Sequence, residues 1–381
     1  MSRFRVVIAY NTSWYVHNFR LPLIRALLQN NYEVIVLAPK DEYTQRVVET
    51  GVGFREITVD SKGNNPLRDL ATFFAFFRAY SELKPNLVLQ YTIKPNLYGS
   101  IAARLLGVNV ACNVTGLGAA FSKGGLIELI ARTLYRIAFA KVERVFFQNP
   151  DDMELFLEAG LVEEKKTDLL PGSGVDTERF TPESTPRAAG PFRFLFVGRL
   201  LKEKGVEDLI EATALVRASG TAATVSLLGR FDPEDPHTAN PALVKAAVDA
   251  GHIFLAGETD DVRPYLAAAD CVVLPSYYRE GTPRSLLEAI AMGKPVIAAD
   301  SVGTREPVHD SINGFLHTPR DPRDLADRML IMATLPQDRL RAMGDASRAY
   351  ALERYREEIV IDRYLALVAS VRSRRDLSRP A

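Results

Sequence analysis

Two glutamates, Glu280 and Glu288, stand in the stretch "YYREGTPRSLLEAIAMGKPVIAAD" (277–300). The first lies in a Gly-Thr-Pro turn, the second in a helical run beside Leu287 and Ala291. A carboxylate among Leu, Ala and Ile costs roughly several kcal/mol to bury unless hydrogen-bond donors reach it. Two neighbouring hydroxyls, as on a ribose, would supply two donors at once. The open alternative for Glu288 is a buried glutamate satisfied by backbone or by an arginine. Earlier in the chain, "VGRLLKEKGV" (197–206) brings Gly198, Arg199 and Lys204 to the end of an apolar run. Glycine permits close backbone approach. Two cations facing a helix N-terminus suit a diphosphate and stabilise its charge as it departs. Either segment alone is a weak signal, because Arg and Lys commonly decorate exposed turns; the coupling of the two is what carries weight.

The elements that must hold these residues are legible as alternation. Strand candidates in the first half are 4–10, 33–38, 54–59, 86–91, 109–114 and 144–149, with helical stretches between them such as 67–83 and 97–106. After the proline-rich segment "TPESTPRAAGP" (181–191), which reads as a linker, strands recur at 192–198, 224–229, 252–257, 271–275 and 295–300. Strand–helix alternation means parallel strands with crossover helices. The expected fold class is α/β, two Rossmann-like doubly wound domains facing across a cleft. The expected domains are 1–185 and 190–352, with a last helix over 355–373 that packs back on the first. Ligands bind such sheets where strands end and helices begin. Thr282 as N-cap and Pro283 at the first helical position would start a helix just beyond Glu280, where free N–H groups attract a phosphate.

Composition narrows the class. The chain has 381 residues, 47% hydrophobic and 25% charged, as a folded globular protein should. Cys112 and Cys271 are too far apart in sequence and too apolar in setting to read as a disulfide framework, so a reducing, cytoplasmic location is expected. "MSRF" runs straight into "RVVIAY", with no signal-peptide pattern, and no apolar run approaches the ~20 residues of a membrane span. Net charge is zero, yet residues 1–150 carry 18 Lys and Arg against 10 Asp and Glu, and the remainder 29 against 37. A basic first half fits an anionic partner, either a phosphate-bearing substrate or a lipid surface; scattered solvated charge explains it as well. No nucleic-acid partner is expected. "VVIAYNTSWYV" lacks the G-x-G-x-x-G turn of a dehydrogenase.

The stretches "VGRLLKEKGV", "LAGETDDVRPYLAAADCVVLPSYYREGTPRSLLEAIAMGKPVIAADSVGTREPV" and "NGFL" resemble the retaining family 4 glycosyltransferases of the GT-B fold, over essentially the whole second half. "YVHNFRLPLIRAL", "YTIKPNLYGSIAARLLGV" and "NVTGLGAAF" resemble bacterial members that add N-acetylgalactosamine to undecaprenyl-diphosphate-linked sugars. The resemblance implies a hexosyltransferase with a UDP-sugar donor and a lipid-linked saccharide acceptor, no cofactor and no bound metal; the sequence contains no Asp-x-Asp. It implies that Glu280 contacts donor-sugar hydroxyls, Glu288 the ribose, and Arg199 and Lys204 the diphosphate. Gly281, Thr282 and Pro283 match the loop that wraps phosphate and sugar. Gly229-Arg230 and Gly257-Glu258 match the nucleobase region.

One departure concerns the first half. Many members carry a Gly-Gly pair after the first strand and a histidine after the fourth. Here the first loop reads "NTSWYVHNF", and "QYTIKPN" has Lys94 instead. His17, Asn18 or Lys94 is expected to take over part of the polar role on the acceptor side, and Thr115 and Gly116 begin a glycine-rich acceptor loop (115–125) that reads equally as a connector. His237, His252, His309 and His317 share no metal-ligand spacing and read as surface or packing residues. The helical run after 125, with Lys123, Arg132, Arg136, Lys141 and Arg144 beside an apolar stripe, fits an anionic membrane surface or a core-packed helix. A sugar-nucleotide epimerase of the same fold and a non-catalytic nucleotide-sugar-binding subunit are the rival readings.

Overall fold

The computed structural model describes residues 3–60, 65–117, 125–183 and 190–377, without the side chains of 125–127. They form two compact units, Met1–Ser173 with Glu357–Ala381, and Gly174–Arg356.

The first unit is built on β1 (Arg5–Ala9), β2 (Glu33–Ala38), β3 (Gly53–Glu56), β4 (Leu87–Tyr91), β5 (Asn109–Val114), β6 (Arg144–Phe147) and β7 (Thr167–Leu169). They pair in the order β3-β2-β1-β4-β5-β6-β7, every pair parallel. The middle strands are largely apolar because helices cover both faces, with Gln90 and Asn113 as buried polar exceptions. Val7 and Ala9 pack with Phe76, Tyr80, Tyr135 and Phe156 on one face; Val6 and Ile8 pack with Leu23, Leu27, Tyr91 and Tyr364 on the other. Tyr364, Val368 and Val371 come from the C-terminal helix Glu357–Leu377. Asn113 donates its Nδ2–H to the Tyr364 hydroxyl at 2.8 Å, tying that helix to the end of β5.

The second unit contains β8 (Phe192–Val197), β9 (Ala223–Leu228), β10 (Ile253–Gly257), β11 (Cys271–Leu274), β12 (Val296–Ala299) and β13 (Gly314–His317). Their order is β10-β9-β8-β11-β12-β13, again all parallel. Strand order reverses between β1 and β4 in one sheet and between β8 and β11 in the other. At such switch points the connecting loops leave in opposite directions and open a crevice at the strands' carboxyl ends.

The structure departs from the sequence expectations in four places. The units part at Ser173–Gly174, ahead of the segment 181–191 expected as linker, because Val175 pairs with Tyr355 (N–H to carbonyl, 2.8 Å) and Phe180 is buried in the second core. "NTSWYVHNF" is no loop: a helix runs over Ser13–Gln29. Thr12 accepts the Tyr15 N–H, and the Asp41 carboxylate accepts those of Ser13 and Trp14 at 2.8 and 3.0 Å. A π-helical turn, Pro95–Gly99, precedes the helix Ser100–Leu106. Strands β7 and β13 went unforeseen; they are three and four residues long.

Candidate active site

Both motifs of the second unit end at its switch point. Beyond β8, Gly198 leads to Arg199, which is exposed, and a 3-10 turn over Lys202–Lys204 follows. Gly205 closes the turn at φ +73°, and a Cβ there would strike the Pro275 carbonyl beyond β11. Glycine is required on both counts. The turn thus presses against the loop that follows β11. Tyr277 and Tyr278 both donate their backbone N–H to the Glu203 carbonyl at 3.0 Å.

Glu280 is held within this junction. Lys204 Nζ reaches its Oε1 at 2.6 Å and Ser276 Oγ donates to the same oxygen at 2.7 Å. The Lys204 and Glu280 side chains are 17% and 14% exposed. The loop after β12 supports it from below. Gly303, at φ +78°, lies where a Cβ would run into the carbonyls of Glu280 and Gly281. From the loop after β13, the Arg320 guanidinium lies 4.3 Å from the centroid of the Tyr277 ring.

Gly281, Thr282 and Pro283 are buried and lead into the helix Arg284–Ala291. The expected Thr282 cap is displaced by one residue: Pro283 is the N-cap, extended at φ −64° and ψ 122°, with no side-chain cap. Proline has no N–H to satisfy, and its carbonyl accepts the Leu287 N–H at 3.3 Å. Glu288 follows on the next turn. Arg284 Nε donates to its Oε1 at 2.9 Å, so an arginine does satisfy one oxygen of this glutamate. Burial pushes the Glu288 carboxyl above the ordinary carboxylate range, Arg284 and Arg179 pull it back, and Asp261 adds to the rise. Asp261 is itself held by Arg263 at 2.6 Å, which lowers it to about 2. Arg348 donates to the Ala291, Phe180 and Thr177 carbonyls at 2.7, 2.8 and 3.0 Å, fastening the helix end to the segment that carries Arg179.

Ser276, Arg284, Arg179, Asp261, Arg348 and Gly303 were not singled out from sequence. Only Arg284 carried a local signal, an arginine four residues from a glutamate on one helix. Arg230 is exposed beyond β9 and pairs with Asp232 at 3.0 Å, and Glu258 is exposed beyond β10.

In the first unit the candidates are differently placed. His17 and Asn18 lie within the helix Ser13–Gln29 rather than in a loop. The His17 ring packs 5.3 Å from that of Tyr43, and Asn18 Nδ2 donates to the Trp14 carbonyl at 2.9 Å. Lys94 Nζ is engaged by Asp69 Oδ1 at 2.7 Å, with Asp60 at 3.9 Å, so its charge is already paired. Thr115 and Gly116 follow β5; residues 118–124 of the expected acceptor loop lie outside the described residues. His317 is buried, not surface, and its Nδ1 contacts the Thr318 carbonyl at 2.9 Å. Cys112 and Cys271 are buried and free, and burial pushes the Cys112 thiol up to about 12. Among the described residues no group of three or more His, Cys, Asp or Glu could hold a metal ion, and no helix is long and apolar enough to cross a membrane.

Comparison with known proteins places this geometry in a family. Residues 191–334 match the model of "Glycosyl transferases group 1", and residues 5–149 that of "Glycosyl transferase 4-like". The chain is 27% identical over 369 residues, 92% of its length and 95% of the relative's, to the N,N'-diacetylbacillosaminyl-diphospho-undecaprenol alpha-1,3-N-acetylgalactosaminyltransferase of Campylobacter jejuni. It is 26% identical over 265 residues, 66% of its length and 67% of the relative's, to the UDP-Gal:alpha-D-GlcNAc-diphosphoundecaprenol alpha-1,3-galactosyltransferase of Escherichia coli. A glycosyltransferase from Rickettsia africae superposes with a TM-score of 0.78 at 17% identity, covering 97% of this chain and 99% of that one. The Anabaena protein HepE, solved in complex with UDP, superposes at 0.76 with 19% identity, covering 97% and 100%. These structural likenesses speak to fold alone. With matching family models in both units and a carboxylate–lysine junction at the second switch point, the chain belongs to the family 4-like glycosyltransferases and is a hexosyltransferase of the GT-B fold.

Proposed function

We propose that this enzyme moves a hexose or N-acetylhexosamine from a UDP-sugar to a saccharide carried on a lipid diphosphate, with retention at the anomeric carbon and without a metal ion. The observation that carries the reading is the junction of Lys204, Glu280 and Ser276 at the β8–β11 switch point. A carboxylate anchored by Lys204 and Ser276 is preset in position to orient sugar hydroxyls. Lys204 and the exposed Arg199 stand beside it for the diphosphate, with the start of the helix Arg284–Ala291. Developing charge on the leaving UDP is taken up by these groups, the kind of preorganised electrostatics that lowers such barriers. Glu288, paired with Arg284 and 14% exposed, serves the ribose diol. The names of both relatives, which specify lipid-diphosphate saccharides, support the acceptor class.

A lipid-borne acceptor also calls for a cytoplasmic enzyme that visits the membrane face. Leu67, Leu70 and Phe74 are exposed on the helix Pro66–Leu83, and Leu129 and Ile130 on the helix Gly125–Phe139, where Arg132 and Arg136 accompany them. Apolar residues flanked by arginines favour an anionic bilayer surface.

The test is a hydrolysis and thermal-shift screen of UDP-, GDP- and ADP-sugars, then transfer to a polyprenyl-diphosphate sugar in anionic vesicles, with the product's anomeric configuration read by NMR. Transfer from a UDP-sugar with retention is expected. Isomerised donor without acceptor would mark an epimerase, and binding without turnover on any lipid-linked acceptor a non-catalytic subunit.

A further inference from the structure

Among the described residues, the first unit buries a cation without an anion beside it. Arg20 falls on the inward stripe of the helix Ser13–Gln29, between Val16 and Leu23, and is 2% exposed. Its guanidinium lies 4.2 Å from the centroid of the Tyr91 ring, with the Tyr10 phenol also facing it. Its Nε has no partner among the described residues. The titratable groups that face it are Tyr10, Tyr91 and Tyr364, from the ends of β1 and β4 and from the C-terminal helix. Burial drives all three phenols upward from their ordinary range, so they remain neutral and the cluster carries one net positive charge.

Packing does not account for this. Taking a charge out of water carries a desolvation penalty that an apolar side chain of similar volume does not. The location offers a use. Tyr10 directly follows β1 and Tyr91 ends β4, the two strands that flank the switch point of this sheet. The next residues along, Asn11 and Thr92, each bury a side-chain oxygen that has no partner among the described residues. Thr92 is β-branched yet sits at φ +67°, a strained conformation of the kind that collects at ligand sites.

We infer that Arg20 is an internal cation that draws the phosphate-bearing acceptor to the carboxyl edge of β1 and β4. The inference rests on the lipid-diphosphate acceptor proposed above. Because Arg20 is almost sealed, it acts through space as a positioning residue and not as a salt-bridge partner. At a separation on the order of 10 Å and an effective dielectric of ~20, one such charge is worth about tenfold in affinity.

The experiment compares full-length wild type, Arg20→Met and Arg20→Lys on two acceptors, a lipid-diphosphate saccharide and the same saccharide on an uncharged alkyl chain. Arg20→Met should raise KM for the first about tenfold with kcat within twofold, leave the second unchanged, and fold with an equal or higher Tm. Arg20→Lys should stay near wild type on both. Calorimetric titration of inorganic pyrophosphate with UDP at saturation gives a readout free of turnover, with binding to Arg20→Met about tenfold weaker. Equal losses on both acceptors, no loss on either, or an Arg20→Met chain that fails to fold would each overturn the inference, the last because the cation then holds the core. A wild type that transfers to neither acceptor but binds pyrophosphate through Arg20 removes the acceptor reading and leaves the anion site standing. Pyrophosphate binding indifferent to Arg20 ends the inference whatever the transfer assay gives.

Discussion

The junction of Lys204 and Glu280 can be tested by a double-mutant cycle. Glu280→Gln keeps the shape and an acceptor oxygen for Ser276 but removes the charge; Lys204→Met removes the cation and keeps the stem. The pair meets at 2.6 Å with side chains 17% and 14% exposed, so it is largely shielded from solvent. A charge-assisted bond in such a setting contributes about 1.5–3 kcal/mol, which in a unit of this size is on the order of 4–8 °C in the unfolding midpoint. Each single variant should lose about 2 kcal/mol, and the double variant little more than either one, giving a coupling of about 1.5 kcal/mol. The assay is urea unfolding of the four proteins, with UDP affinity by calorimetry and transfer rate on the same samples. Glu280→Gln should lower kcat about a hundredfold with UDP affinity within threefold, whereas Lys204→Met should weaken both. Stability losses that add to within about 0.5 kcal/mol would show that the two residues do not act as a unit. Normal transfer by Glu280→Gln would remove the carboxylate from the reaction altogether.

Two further outcomes follow from the same site. Gly303→Ala puts a methyl group into the Glu280 and Gly281 carbonyls at a positive φ; it should cost about 2–4 kcal/mol and raise the donor KM, while Gly220→Ala, strained at φ +82° but in open space, should lose about 1 kcal/mol and leave the KM unchanged. Because burial raises the Glu288 carboxyl in the free enzyme, the folded state holds the proton more tightly than the unfolded one, so this group's contribution is most favourable at acid pH and is lost as pH rises through the raised value. If Glu288 holds the ribose in its ionised form, as proposed, UDP affinity should climb over that same rise, and Arg284→Ala should move the climb to higher pH, measured by calorimetry from pH 5 to 8.

Much of this fold was legible because strands buried on both faces are mostly apolar. The runs at β1, β4, β8 and β11 stand out for that reason, and the switch points follow from their order. What escaped notice depended on partners distant in sequence. The start of the first helix is fixed by Asp41, 28 residues from Ser13, and Pro22 within it argues against a helix when the sequence is read alone. β13 is a four-residue strand whose Gly314 has no room for a Cβ against the Val296 carbonyl; a glycine normally counts against a strand. At the site, the residue types of Glu280, Glu288, Arg199 and Lys204 were readable, but not their pairing. Lys94 shows the converse. It looked available for chemistry, and Asp69 already occupies it.

The two carboxylates of the second unit share one design. Each is held by a cation of the same unit: Glu280 by Lys204 and Glu288 by Arg284. A buried carboxylate with no such cation would be neutral or would swing toward solvent, and an incoming nucleotide sugar would have to order it. With the cation in place, that ordering is complete before binding, and less of the binding energy is consumed in it. The arrangement also sets a requirement on the donor. In the proposed binding mode Lys204 serves the diphosphate by turning one of its remaining N–H donors to phosphate while keeping Glu280, which an ammonium with three donors can do and a single-donor side chain cannot. On that reading, lysine at position 204 combines the several donors the double duty needs with the positive charge that both a carboxylate and a phosphate favour.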